Sequence, residues 1–441
     1  MLGLRNNSKK NRTRVLQFLL YLKYLENKKK KGDTCQLNIT ITIPGLKEVE
    51  IRRIEQVEDR VAIHVEMPVR VQCCPRCSNK TKKIHDYRIQ KIKHLKWFER
   101  LTYIFYKRRR YKCDKCGKEF AEENSFVDRY QRFSREWNQA VNVRSVKAKS
   151  FIEVAIQYGS SVSTVIRRFD QLAKKELKEI KELPKVIAID EYKGDTQEGK
   201  YQVIIADGET REPIDILPNR RKKTITNYLR KYGAKVEVVI MDMSRTFKAA
   251  VRKALDKPII VADHFHFCRY IYWALDRVRR RVQSTWSDYD RKRCKKMRYV
   301  FYKNSDKLTE KDRWYLNRYI KMSKELEAAY NLKEAFCRWF KQAKQNGSEG
   351  IRNTKEELHK FYKIVEQTGI NEFVRNIKTL KNWEIEILNS FIYEYSNGFL
   401  EGINNHTKVI KRNAYGFRNY NRSRARILLT HKYKNIGVHV G

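Results

Sequence analysis

Asp190 and Asp242 each close an apolar run, "KVIAIDEYKG" (185–194) and "VEVVIMDMS" (236–244), while Glu401 stands alone in the otherwise basic "FLEGINNHTKVIKRNAYGFRNYNRSRARIL" (399–428). Carboxylates at the ends of neighbouring strands are hard oxygen donors, the kind Mg²⁺ takes while keeping part of its water shell. Two such ions roughly 3.5–4 Å apart can offset the charge that builds on the entering and leaving oxygens when a phosphodiester is cut in line. Clustered carboxylates repel one another, and a cation relieves that repulsion. The expected catalytic set is therefore Asp190, Asp242 and Glu401 as ligands for two Mg²⁺, with Mn²⁺ as a substitute, on a helix-and-sheet scaffold. Each acid has a bland alternative. Asp190 or Asp242 taken singly reads as a strand-end residue accepting backbone hydrogen bonds, and Glu401 as a helix cap or a partner of Arg412. Glu191 is a neighbouring acid, but strand alternation aims it at the opposite face from Asp190. Asp207 and Asp215 read as turn or solvent-side residues.

The second set is sulfur. "CCPRC" and "CDKCG" place Cys74, Cys77, Cys113 and Cys116 as two C-x2-C knuckles. Four thiolates close the shell of one tetrahedral Zn²⁺, so this site is structural and not hydrolytic. Cys73 is an alternative to Cys74 by a one-residue slip, and His85 and His94 read as surface residues rather than ligands.

Elements must hold these groups. The long gap between the knuckles alternates apolar and basic residues and predicts the strands of a zinc ribbon. From 134 to 177 a helical period breaks at "YGSS", with Ser161 or Ser163 able to cap the next helix. That predicts a helix-turn-helix whose second helix carries Arg167 and Arg168 towards a major groove. After Pro184 come an apolar strand, a hairpin turning near "DGET", a helix (224–232), the Asp242 strand, a helix (245–255) and a buried strand (258–267). Three strands, helix, strand, helix, strand is the order of a ribonuclease-H-like sheet. A helix starting near Ser396 then presents Glu401 to the sheet, with Lys408, Lys411 and Arg412 further along it near a DNA backbone. Arg418, Arg422 and Arg424 extend that basic stretch as DNA contacts.

Lys and Arg outnumber Asp and Glu 97 to 51 in 441 residues, a formal charge of +46. A chain so charged repels itself unless a polyanion shares the load, which points to nucleic acid. Basic runs such as "RVRRR" (277–281) and "RKRCKKMR" (291–298) spread the charge over several modules. The longest early apolar run, "VLQFLLYL" (15–22), is too short to span a bilayer and has no cleavage site after it. The expectation is a cytoplasmic, nucleoid-associated protein with no membrane partner, in a reducing compartment.

"AIDE", "VIMDMS", "VADHFHF" and "SNGFLEGINNHTKVIKRNAYGFRNYNRSRARIL" resemble the DDE transposases of the insertion-sequence ISL-three type, from about residue 44 to the C-terminus. The resemblance implies an acidic triad of Asp190, Asp242 and Glu401, and it matches Asp263 and His266 to an accessory D-x-x-H pair. It implies a zinc-ribbon DNA-binding domain (44–130), a helix-turn-helix domain (131–182), the first part of a ribonuclease-H-like core (183–267), a helical insertion (268–390) and the last core helix with a basic C-terminal region (391–441), while a basic N-terminal segment (1–43) falls outside it. The implied activity is binding of terminal repeats, two-metal cleavage and joining of 3′-hydroxyl ends to target DNA. The implied partners are duplex DNA from element ends and target, with a homodimer or larger synaptic assembly. A non-catalytic DNA-binding regulator and a metal nuclease without strand transfer are the competing readings.

Overall fold

The computed structural model describes residues 45–433 except 47. The expected N-terminal segment and its "VLQFLLYL" run lie outside the described residues. The chain forms two compact units, one up to Trp137 and the other from Asn138.

In the first unit, β1 (Glu50–Val57), β2 (Arg60–Glu66), β5 (Ile84–Lys93) and β6 (Leu101–Lys112) form a sheet in the order β1-β2-β6-β5, with β7 (Glu119–Ala121) also on β6. The short hairpin β3 (Gln72–Cys73) and β4 (Lys80–Thr81) is separate. In β6 the burial alternates, so Ile104, Tyr106 and Tyr111 enter the core while intervening bases face outward. Arg109 is the exception. It is buried, donating to Met67 O at 2.5 Å and to Glu66 at 2.8 Å, with Glu122 at 3.4 Å.

Three helices follow: α1 (Arg135–Lys147), α2 (Phe151–Gln157) and α3 (Val162–Glu176). Gly159 (φ +62°) makes the turn between the last two. Of the two serines considered as caps, Ser161 accepts the Thr164 amide at 3.2 Å, and Ser163 lies inside the helix.

The central sheet of the second unit runs β10 (Pro213–Leu217), β9 (Gly199–Asp207), β8 (Val186–Thr196), β11 (Val238–Met241), β12 (Ile259–Ala262). The first three strands are antiparallel, and β8, β11 and β12 are parallel. Asp207 makes the expected hairpin turn, its Oδ1 accepting the amides of Glu209 and Thr210. The connections α4 (Lys222–Tyr232) and α5 (Arg245–Ala254) match the expected alternation. The last strand is shorter than expected. It stops at Ala262, because Asp263 turns the chain into α6 (His264–Gln283), so the two histidines of "DHFHF" are helical.

Beyond α6 the chain is helical: α7 (Asp288–Lys296), α8 (Tyr299–Tyr302), α9 (Glu310–Ile320), α10 (Lys324–Asn346), α11 (Ile351–Thr368), α12 (Asn371–Asn382) and α13 (Glu384–Ile392). It returns to the sheet through α14 (Gly398–Asn413) and α15 (Tyr420–Lys432). The sheet has two covered faces. Ile187, Ile189, Val239 and Met241 pack with α4, α5 and the helices from α6 onward. Val186, Ala188, Val238, Ile240 and Val261 pack with Leu400, Ile403, Ile427 and Leu428 of α14 and α15. Buried Glu386 pins α13 to α5 through Lys248 at 2.6 Å and Arg252 at 3.0 Å. Asn389 donates to Ile260 O at 2.9 Å. Of the insertion tryptophans, Trp339 is buried and Trp286 stacks on Tyr319, whereas Trp273 and Trp314 are exposed.

Among the described residues no helix is long and apolar enough to cross a membrane.

Candidate active site and metal centre

The sulfur site is closed. The two knuckles are built alike. Ser78 N bonds Cys74 O, Gly117 N bonds Cys113 O, both at 2.9 Å, and each donor residue sits at positive φ (56° and 67°). Both turns therefore aim their sulfurs inward. Cys74 Sγ lies 3.5 Å from Cys116 Sγ, and Cys77 Sγ lies 3.5 Å from Cys113 and 3.4 Å from Cys116. Sulfurs about 2.3 Å from one central Zn²⁺ are about 3.8 Å apart, so the set fits a structural zinc ion. The Cys116 amide directed at Cys113 brings that thiol down to about 6, which favours the thiolate a metal takes. Cys73 is exposed on β3 and outside the cluster, which removes the one-residue slip. The expectation of surface histidines holds for His85, which pairs with Glu119 at 3.1 Å, but not for His94. His94 is buried against Ser134 Oγ at 2.8 Å, and burial lowers its pKa to about 4.

The carboxylates lie where the parallel pairing of β8, β11 and β12 ends, Asp242 and Asp263 just past their strands and Asp190 within β8, which continues to Thr196. Ile189 pairs with Met241 and Met241 with Ala262, so Asp190, Asp242 and Asp263 follow at matching positions on adjacent strands. By alternation all three share the face that carries α14, and Glu191 points to the other face, where Arg220 Nη1 holds both its oxygens at 2.8 and 3.0 Å. Asp190 is raised to about 6. Burial is the main cause, and the Asp242 charge adds to it against the Glu191 amide. Burial likewise raises Asp242, opposed by His266. Asp242 Oδ1 is buried and has no hydrogen-bond partner among the described residues. An unpartnered oxygen beside a like-charged neighbour is a donor suited to Mg²⁺.

Asp263 and His266 meet through the geometry of a helix start. Asp263 is the N-cap of α6 and His266 is three residues in, where Nδ1 lies 3.0 Å from Asp263 Oδ2. Burial works to lower the His266 pKa, yet the Asp263 hydrogen bond and the charges of Asp242 and Asp263 raise it overall. His264, one turn face away, packs instead among Phe267, Phe340 and Phe391, and burial lowers it to about 4.

Helix α14 crosses this site. Asn397 N donates to Asp263 Oδ1 at 3.3 Å, and the buried Asn404 donates through Nδ2 to Asp190 Oδ2 at 2.6 Å. Glu401 lies between those two contacts in sequence, at positions that share a helix face. Its carboxylate is nevertheless exposed and makes no hydrogen bond or ion pair among the described residues. Among the described residues, the four cysteines are the one group of three or more such ligands within 4.8 Å. Asp190, Asp242 and Glu401 therefore do not close to that distance. Asn404 was missed by the sequence reading. Its signal was the "EGINN" spacing, which places an amide three residues after the acid and hence on its face.

A transposase family model matches residues 187–427, which contain nearly all of the central sheet, the helices α6 to α13 and α14. The chain belongs to the ISL3 family of transposases. A zinc-finger model of the IS204, IS1001, IS1096 and IS1165 transposases matches residues 70–116, and a helix-turn-helix model of transposase family ISL3 matches 122–173. The transposase of insertion sequence element IS1001 from Bordetella parapertussis is 24% identical over 393 residues, covering 86% of this chain and 94% of that protein. The transposase of element IS1557 from Mycobacterium tuberculosis is 24% identical over 246 residues, covering 50% and 54%. A Lactococcus lactis protein named ATP-dependent protease is 33% identical over 131 residues, which is 30% of this chain and 38% of that one.

The basic residues of this transposase separate into two groups. Arg167, Lys408, Arg412 and Arg418 are exposed. Arg168 is half-buried and bonds Gln171 at 3.1 Å. Three others expected at DNA are engaged within the chain: Lys411 with Asp195 at 2.6 Å, Arg422 with Asp170 at 3.0 Å, and Arg424 with Asp215. Asp215 is thus buried in an ion pair, not a solvent-side residue.

Proposed function

We propose that this chain is a catalytically competent DNA transposase whose sheet is a ribonuclease-H-like core interrupted by a helical insertion over about 268–390, and whose cleavage site is Asp190, Asp242 and Glu401. The observation that carries the reading is the row of Asp190, Asp242 and Asp263 at matching positions on adjacent parallel strands, the first two half-buried and Asp263 buried, with an unpartnered Asp242 oxygen, on the sheet face covered by the helix that bears Glu401. The strand order, with three antiparallel strands followed by two parallel ones, supports the core assignment.

Asp190, Asp242 and Glu401 would hold two Mg²⁺, which when bound supply charge stabilisation at the entering and leaving oxygens and activate water for attack. Asn404 orients the Asp190 carboxylate. Asp263 fixes the His266 ring, leaving a partly buried imidazole beside the acids to hold a proton or steady the strand. Exposed Lys408 and Arg412 neutralise backbone phosphates, Arg167 sits on the helix that would enter a major groove, and the zinc ribbon adds a second DNA-binding module. The first cut frees a 3′-hydroxyl, and the same residues orient it for in-line attack on target DNA. Joining two ends calls for a homodimer or larger assembly.

The test compares Asp190→Asn, Asp242→Asn and Glu401→Gln with Glu191→Gln as control. Cleavage and strand transfer fall by about 10³-fold or more in the three, since ligands of one site fail as a unit, while DNA binding without divalent metal is kept. Near-native cleavage by Glu401→Gln in Mg²⁺ would falsify the assignment. Transfer of a pre-cleaved end by the unmodified chain separates a transposase from a plain nuclease, and absence of both activities leaves a DNA-binding regulator.

A further inference from the structure

The basic runs at 277–281 and 291–298 are separate in sequence and absent from the site above, yet they meet. The last turns of α6 and the whole of α7 enclose an open cavity of about 510 Å³. Its floor is Arg279, only 2% exposed, held rigid by Asp276 Oδ1 at 2.5 and 3.1 Å and by Gln283 Oε1 at 2.7 Å. Arg280 and Arg291 flank it, each with one carboxylate partner, Asp276 at 2.5 Å and Asp288 at 2.6 Å. Lys292 shares Asp288 at 3.5 Å. Lys295 and Arg298 complete the rim, and neither has an ion pair among the described residues. The remaining acid of α7, Asp290, is turned to Arg318 at 2.9 Å.

Six cations therefore converge on a concave surface against two carboxylates, and two of the cations are uncommitted. Concave, single-signed surfaces concentrate counter-ions, and guanidinium groups prepositioned by buried partners suit phosphate oxygens. Asp263 caps one end of α6 and Arg279 lies sixteen residues on, about 24 Å along the axis at 1.5 Å per residue. That span is about seven base pairs of duplex at 3.4 Å each.

We infer that this cavity takes backbone phosphates of the DNA duplex held at the acidic site, about seven base pairs from the cut. The inference rests on the function proposed above. The ligand chemistry is phosphate, whose other source is a free polyphosphate anion.

The experiment compares the triple variant Lys292→Ala, Lys295→Ala, Arg298→Ala with a control of equal charge change on exposed insertion residues, Lys324→Ala, Lys341→Ala, Lys378→Ala. Binding to a duplex of about 40 base pairs taken from the flank of the coding region is measured on the zinc-loaded chain without added Mg²⁺ or chelator, from roughly 50 to 300 mM salt. The cavity variant loses about two to three units of the slope of log affinity on log salt and about 10- to 100-fold in affinity, and the control loses less than about half a unit. Equal loss in both variants means a diffuse field and overturns the inference. Unchanged DNA binding, with pyrophosphate titration giving heat for the unmodified chain and none for the cavity variant, assigns the cavity to a free anion and also overturns it. Because no Mg²⁺ is present in the binding assay, a chain that behaves as expected there but neither cuts nor joins DNA when Mg²⁺ is supplied loses the transposase reading alone. One that cuts and joins with no slope change in the cavity variant loses this inference alone.

Discussion

The four-cysteine cluster and the proposed acid set of this chain are assembled in opposite ways. Each pair of cysteines comes from one tight turn, and the sulfurs already stand 3.4–3.5 Å apart. The three acids come from two adjacent parallel strands, Asp190 within β8 and Asp242 just past β11, and from a helix that returns more than a hundred residues later, and they do not close to the same distance. A thiol set tolerates assembly because its members share protons and hydrogen bonds, whereas carboxylates brought together repel. One site is a clasp for the fold, and the other is held open with a free oxygen and an exposed acid.

The largest effect that would sharpen this contrast is on the clasp. Cys113→Ser should take the zinc content of the purified chain from about one per molecule to none, with the loss of most of a binding free energy of about 10 kcal/mol. Melting and metal analysis check it. A variant that keeps its zinc breaks the assignment of the ligand.

The open site should respond to pH instead. Asp190 keeps its proton up to about 6 in the folded chain, against 3.8 ordinarily, so the folded state binds that proton more tightly than the unfolded chain. The resulting stabilisation is complete below about pH 4 and is lost as pH rises through 6, by up to about 3 kcal/mol. The raised Asp242 and His266 act with the same sign. The Tm of metal-free protein should fall across this window, less steeply in Asp190→Asn, and added Mg²⁺ should restore stability mainly above pH 6.

Asn404→Ala removes the donor to Asp190 Oδ2 and leaves that oxygen short of a partner, a loss of about 1–3 kcal/mol. Cleavage should drop about 10- to 100-fold with a higher Mg²⁺ requirement, while DNA affinity without metal is unchanged. Loss of DNA affinity in step with cleavage would mean that α14 is merely unseated. The smallest effect is expected at Arg422→Ala, which breaks an exposed pair with Asp170 and should cost about 0.2–1 kcal/mol in unfolding by denaturant. A fall of about one unit in the salt slope of DNA binding would return Arg422 to the phosphate contacts.

Much of this arrangement was legible in residue order. The C-x2-C spacing specifies two turns of four residues each, and the positions of Ser78 and Gly117 at positive φ are local consequences of that spacing. Apolar runs ending in Asp190 and Asp242, separated by helical periods, are enough to put the acids on neighbouring strands, Asp242 at a strand end as expected but Asp190 inside β8, because pairing with β9 carries that strand on to Thr196. Alternation by itself separates Glu191 from Asp190, as the Arg220 pair bears out. What order could not supply was which partner each polar group meets. Asp215 reads as a surface acid until Arg424 arrives from α15, and Lys411, Arg422 and Arg424 read as phosphate contacts until β8, α3 and β10 supply their carboxylates. The boundary at Asp263 was displaced for a similar reason, since "VADHFHF" is apolar enough for a strand and only its place as a helix cap turns the histidines inward.

The sequence by itself determined the ligand types, the strand ends and the charge, because these depend on neighbours a few residues away. Tertiary structure alone decided that Asn404 holds Asp190, that Glu401 faces solvent and that the basic runs of two consecutive helices line one cavity. Those outcomes depend on the docking of α14 and the packing of α6 on α7, and pairings at such separations follow from which surfaces the whole core buries, not from local periodicity.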